Sequence, residues 1–250
     1  IKEKNIEHGD IQVVFTVAEE CGLLGAKNLD YSKIYARYGF VMDNGGPIGT
    51  VAVNAPSQNQ IDVIIKGKAA HAGVEPEKGI SAIQIAASAI LGMKLGRIDE
   101  ETTANIGVIN GGQATNIICD KVVIKAEARS RNEQKLKEQT EHMKKCFLDA
   151  ANRYGGTVDF RSELLYPSFN IDESEKIISI AREAADDIGV ELKLEVTGGG
   201  SDTNIINGKG IKAVDVSVGM DKVHSVEEQI LIDDMVKAAE FIISIIKNIK

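Results

Sequence analysis

The stretch Ile11-Gln12-Val13-Val14-Phe15-Thr16-Val17-Ala18-Glu19-Glu20-Cys21-Gly22 decides the fold class. Its first seven residues are mostly β-branched or aromatic and carry no charge, so they read as a buried strand. The run stops at paired carboxylates and a glycine, and Leu23-Leu24-Gly25-Ala26 then begins a helical turn. The pattern recurs at once. Tyr38-Gly39-Phe40-Val41-Met42 is a second apolar strand, and it stops at Asp43-Asn44-Gly45-Gly46. Two strands that each end on acidic residues and glycine mark the carboxyl edge of an α/β sheet, where ligand sites form.

Working outward, the pattern changes near residue 53. Residues 60–67 read as a strand, 79–95 as an alanine-rich amphipathic helix, and 104–109 and 122–129 as strands. Residues 132–154 read as a long charged helix and 157–161 as a strand. This β-α-β-β-α-β order is the ferredoxin-like pattern, an antiparallel sheet covered by two helices. Beyond it come a helix over 172–188, strands over 192–196 and 213–218, and a closing helix over 232–249. The expected organisation is therefore an α/β domain from residues 1–55 and 166–250, its sheet only partial, with an α+β domain inserted at 56–165.

The 250 residues carry 29 Lys+Arg against 37 Asp+Glu, a formal charge of −8. That balance argues against nucleic acid and against an anionic membrane surface as partners. No apolar run approaches the ~18–20 residues of a membrane span. Cys21, Cys119 and Cys146 are an odd number at scattered positions, which suggests reduced thiols and a cytoplasmic setting.

Several residues carry possible chemistry. Adjacent carboxylates at a strand end repel unless a proton or cation lies between them, so one of Glu19 and Glu20 suits a metal and the other a base. Glu20, Asp43 and His224 together supply the oxygen and imidazole donors that zinc, cobalt or manganese accepts. Each taken alone is more often a turn or loop residue. His71, in Ala69-Ala70-His71-Ala72-Gly73, is either a loop histidine or a hydrogen-bond donor to substrate. Gly198-Gly199-Gly200-Ser201-Asp202 is either a hinge or a loop that lets backbone approach a ligand. A thiol nucleophile at Cys21 is disfavoured, because the neighbouring carboxylates raise a thiol pKa.

The order of these motifs, from Glu19-Glu20-Cys21-Gly22 through Asp43-Asn44-Gly45-Gly46, His71-Ala72-Gly73 and Gly198–Asp202 to His224-Ser225, resembles the co-catalytic zinc exopeptidase family. That family includes peptidase T, carboxypeptidase G, dipeptidases and aminoacylases. The resemblance spans essentially the whole chain. It implies a peptidase-type α/β domain with an inserted lid and dimerisation domain, two zinc ions per complete active site (cobalt or manganese as substitutes), a short-peptide substrate and a homodimer formed through the lid. It implies that Glu19 is the general base, that Glu20 and Asp43 ligate different zincs, and that His224 is the last histidine ligand. It further implies substrate contacts from His71, Asn116 and Arg129, and from the loop bearing Gly199, Gly200 and Ser201. Asp at position 43 leans toward the peptidase T and aminopeptidase branch.

One departure accompanies the resemblance. The family also uses an upstream His-x-Asp motif and a metal-bridging Asp, and only 18 residues precede Glu19. His8-Gly9-Asp10 fits the letters but sits in a polar turn with no strand before it, and reads as surface. The chain is therefore expected to correspond to the carboxyl-terminal two-thirds of such an enzyme, inactive or nearly so alone. Two alternatives stay open: an amidohydrolase acting on N-acyl amino acids, and a non-catalytic dimerisation module.

Overall fold

A computed structural model describes residues 6–249. The chain divides into two compact units, one built from the part up to Ala55 and the part from Pro167 onward, the other from Pro56–Tyr166. The elements run as helix α1 (Leu24–Asn28), strands β1 (Tyr38–Gly45), β2 (Thr50–Ala55) and β3 (Ser57–Lys66), helix α2 (Ala82–Leu91), strands β4 (Gly96–Arg97), β5 (Thr102–Gly111) and β6 (Lys121–Ser130), helix α3 (Glu133–Tyr154), and strands β7 (Thr157–Tyr166) and β8 (Phe169–Asn170). Then follow helix α4 (Lys176–Asp187), strand β9 (Lys193–Val196), helix α5 (Asp202–Gly208), strands β10 (Lys212–Asp221) and β11 (Gln229–Ile230), and helix α6 (Ile232–Asn248).

The unit spanning Pro56–Tyr166 is an antiparallel sheet ordered β4-β5-β6-β3-β7. With α2 after β3 and α3 after β6, it has the expected ferredoxin-like arrangement. Period-two burial on β3 turns Ile61, Val63 and Ile65 inward. On α3, Leu136, Thr140, Met143, Phe147 and Ala151 recur at helical spacing and are buried, so one stripe of the helix meets that face. Capping sets the helix limits. The Ser81 hydroxyl accepts the Gln84 amide and Gly92 closes the last turn, so α2 is shorter than the 79–95 stretch its composition suggests. Asn132 caps α3, and Gly155, at φ 79°, ends it.

The other unit is a mixed sheet. Its path is β1-β10-β2-β8, with β9 joined to β2 and β11 to β10. β1 runs parallel to β10 and β9 parallel to β2, whereas β2 is antiparallel to β10. Val51, Val214 and Val216 from the strands pack with Ile177, Ile178 and Ile180 of α4 and Phe241 and Ile245 of α6. β2 lies just after Gly45-Gly46-Pro47, a stretch that reads as loop, and the sequence reading passes over it.

One expectation is overturned. Residues 11–17 form no strand, and they are not buried: Val13 is 74% exposed, Phe15 91% and Val17 73%. Their composition suits a strand, but a strand exists only where a neighbour completes its backbone hydrogen bonds, and among the described residues none pairs with them. The segment is held locally instead. The Gly25 amide donates to the Val17 carbonyl at 2.9 Å, and the Gln12 side chain bridges the Lys33 carbonyl and the Tyr35 and Ala36 amides. A side chain at Gly25 would come within 2.5 Å of Val17 backbone atoms, so glycine is required there.

Phe147 is fully buried, with its ring centroid 6.2 Å from that of Phe160. Phe147→Ala is expected to destabilise the Pro56–Tyr166 unit by about 3–5 kcal/mol. Urea unfolding measures this, and a loss below about 1 kcal/mol would contradict the packing described.

Candidate active site

The parallel ladder between β1 and β10 holds register from Tyr38↔Lys212 to Val41↔Asp215 and then slips before Asn44↔Ser217. Met42 and Asp43 lie in that irregularity, which turns the end of β1 out of the regular pleat. The Asp43 amide has no ladder partner and donates instead to the Asp215 carboxylate at 3.0 Å.

Two further segments reach the same place. Residues 18–24 form a tight turn in which the Gly22 and Leu23 amides both donate to the Glu19 carbonyl, at 3.0 and 2.8 Å. Between β10 and β11, the His224 amide donates to the Glu228 carboxylate at 3.0 Å. Both turns are strained. The non-glycine residues with positive φ among the described residues are Ala18 (55°), Leu23 (61°), Lys222 (55°) and His224 (63°). All four lie in the two turns that carry Glu19, Glu20 and His224, and left-handed backbone of this kind concentrates at functional positions.

These segments enclose a cavity of about 390 Å³. Glu19, Glu20, Asp43 and His224 line it, and so do Gly199, Gly200 and Ser201 from the loop before α5. His224 Nδ1 approaches Glu20 Oε1 to 3.6 Å, with both side chains largely exposed. Partial burial, then the charges of Asp43, Glu20 and Asp202, push the Glu19 carboxyl up to about 7, with His224 opposing. Burial and the charges of Asp202 and Glu20 likewise raise Asp43, again with His224 opposing.

The remaining expected residues belong to the other unit. His71 Nδ1 accepts the Gly73 amide at 3.2 Å, and the Ala72 amide donates to the Asn116 carbonyl at 2.9 Å, so the His71 and Asn116 loops are pinned together. Arg129, on β6, grips Glu127 with two bonds of 2.9 and 3.0 Å. Its guanidinium is thus already engaged by a carboxylate.

Sequence reasoning passed over Asp215, Asn204 and Glu228, which also line the cavity. A signal for Asp215 was available: it interrupts the apolar run Ala213–Val218, and a carboxylate in a buried strand needs partners. Glu228 and Asn204 gave none, since each sits in a polar stretch. The glycine loop also ends earlier than its composition suggests, because Ser201 caps α5 and Asp202 is already helical.

The donor chemistry fits a divalent cation. Clustered carboxyls that raise one another's pKa, with an imidazole beside them, are the surroundings in which a cation relieves repulsion. A complete coordination shell is not formed by this arrangement. Among the described residues no three His, Cys, Asp or Glu side chains stand close enough together to hold an ion. Glu20, Asp43 and His224 share the cavity without converging on one point.

Comparison with known proteins places this geometry. Residues 58–155 match the peptidase dimerisation domain family. The chain is 49% identical over 248 residues to the uncharacterized protein YqjE of Bacillus subtilis, covering 99% of this chain and 67% of that protein. Aminopeptidase PepT from Bacillus cereus superposes with a TM-score of 0.90 at 47% identity, and a tripeptidase from Staphylococcus aureus with 0.94 at 44%. The chain belongs to the M20 peptidase family, on its peptidase T-like branch. It spans 66% of each of those two solved chains, which cover 99% and 98% of it. As a member of that branch it combines a mixed α/β sheet with the dimerisation fold. No helix among the described residues is long and apolar enough to cross a membrane.

Burial also raises Asp215 from 3.8 to about 7, against the opposing hydrogen bonds from Ser201 and the Asp43 and Asn44 amides. Glu19 and Asp215 are acids whose folded-state pKa exceeds the unfolded value. The stabilisation they give is complete below their unfolded values of 4.5 and 3.8 and is lost as pH rises through about 7. Carboxylates held low, such as Asp99 at about 2, act in the opposite sense and only in acid. Chelated protein should therefore melt at a higher temperature near about pH 5 than near about pH 8, and Glu19→Gln should flatten the slope. A melting temperature that rises across this interval would contradict the electrostatics described.

Proposed function

We propose that the protein is a metal-dependent exopeptidase that releases the amino-terminal residue of short peptides, in the manner of a tripeptide aminopeptidase. The observation that carries this is Glu19. It is a partly buried carboxyl at the edge of a cavity lined by further carboxylates and an imidazole. Burial makes such a carboxylate a better proton acceptor than one in water, and it can give the proton back. Glu19 takes a proton from the attacking water as the new C–O bond forms. It returns that proton to the amine as the C–N bond breaks.

Glu20, Asp43 and His224 would hold two cations, zinc in the first instance, with Glu20 and Asp43 on different ions and further donors from beyond this set. When bound, the metal supplies Lewis-acid polarisation of the carbonyl and lowers the pKa of water. Gly199, Gly200 and Ser201 line the substrate's path. His71, Asn116 and Arg129 are the candidates for contacts to substrate from the dimerisation fold. A second copy of the chain would pair along β5, which β4 covers only at Gly96↔Ala104 and Arg97↔Thr103. Relatives at 47% and 44% identity named aminopeptidase and tripeptidase favour peptides over N-acyl amino acids as substrates. Glu19, Glu20, Asp43 and His224 at one cavity argue against a purely structural module.

The test is hydrolysis of a tripeptide panel by protein expressed from its complete reading frame, with zinc, cobalt or manganese added. Chelation should abolish release of the first residue. Glu19→Gln should lower kcat by about 10²–10⁴-fold while cation binding persists. Undiminished turnover by Glu19→Gln would exclude Glu19 as the base.

A further inference from the structure

Asp215 is a buried carboxylate whose hydrogen bonds join two separate parts of the cavity. It is 6% exposed and lies on β10 opposite Val41, the last residue in register before β1 slips. Its Oδ1 accepts the Asp43 amide at 3.0 Å, and the adjacent Asn44 returns to the ladder opposite Ser217. Its Oδ2 accepts the Ser201 hydroxyl at 2.7 Å. Ser201 is itself fixed as the cap of α5: its hydroxyl oxygen accepts the Thr203 amide and its own amide donates to Asn204 Oδ1. Asn204 in turn donates to the Pro167 carbonyl at 2.8 Å.

The slipped register leaves Asp43 outside the ladder, between the pairs Val41↔Asp215 and Asn44↔Ser217, and a carboxylate takes its amide. We propose that Asp215 is a positioning residue that ties the candidate ligand Asp43 to the Gly198–Ser201 loop, so that the two move as one. The functional half of this rests on the exopeptidase reading above; the mechanical half does not. Asp215 would act through the backbone from which Asp43 projects and the backbone along which a peptide would lie. Residues of this kind, behind metal ligands, typically set affinity by 10–100-fold.

Amide NMR spectra of the complete protein and of Ser201→Ala, Asp215→Leu and the double variant decide it. Asp215→Leu keeps the branched shape of the side chain while replacing both acceptor oxygens with methyl groups, and Ser201→Ala removes only a hydroxyl; dispersed amide resonances establish that each variant folds. Ser201→Ala is expected to shift the Asp43 amide resonance. In the Asp215→Leu background the same change should leave it where it is, since the link is already cut. An equal effect in both backgrounds, or none in either, overturns the proposal. A residue that merely stabilised the sheet would lower the melting temperature without producing this dependence. Titration with zinc alone supplies the second readout, with affinity about 10–100-fold weaker in Asp215→Leu as the expected result and unchanged affinity refuting the functional half. Failure of the unmodified protein to bind zinc would sink the exopeptidase reading instead, and the amide shifts would still decide the role of Asp215.

Discussion

The unit that carries the candidate site hangs on one strand. β10 pairs with β1, β2 and β11, and its residues from Ala213 to Ser217 are all buried. A buried strand has to place every amide and carbonyl in a ladder or against a side chain. β10 meets this obligation with parallel pairing on one side and antiparallel pairing on the other. Where parallel pairing with β1 slips, side chains take over: Asp215 receives the Asp43 amide, and the Ser217 hydroxyl donates to the Gly46 carbonyl while accepting the Gly219 amide. The point at which the ladder fails is the point at which the chain turns its carboxylates toward solvent.

How much of this was legible follows from which interactions are local. The ferredoxin-like unit was readable because its signals are internal to each element: period-two burial on β3, a helical stripe on α3, and caps at Ser81 and Asn132. Residues 11–17 show the opposite case. Composition states which neighbours a segment would tolerate, and pairing decides whether it has them. β2 was hidden for a related reason. It is short and follows a glycine-proline loop, and it becomes a strand through β10 and β9, both distant in sequence.

Among the site residues, Glu19, Glu20, Asp43 and His224 were legible as an ordered series, although each alone is an ordinary loop residue. Their common cavity depends on strand order, which no local pattern specifies. Glu228 was not singled out, because its bond to the His224 amide lies inside an ordinary polar turn, and Asp215 was not, because its importance lies in a hydrogen bond to a backbone amide of another segment. The same holds for the tuning of Glu19, which comes from burial and from Asp43 and Asp202 as well as from the adjacent Glu20.

The left-handed backbone at His224 sets the site against thermal resistance. Glycine adopts φ of 63° without the steric cost that a side chain incurs, and so relieves that turn. The same exchange deletes the imidazole beside Glu20. Ala18, on the other side of the cavity, is a further position where glycine fits the backbone better, next to Glu19. A population of variants selected only for survival on heating would therefore drift toward glycine at these turns, and its first casualties would be the geometry and the donors of the cavity.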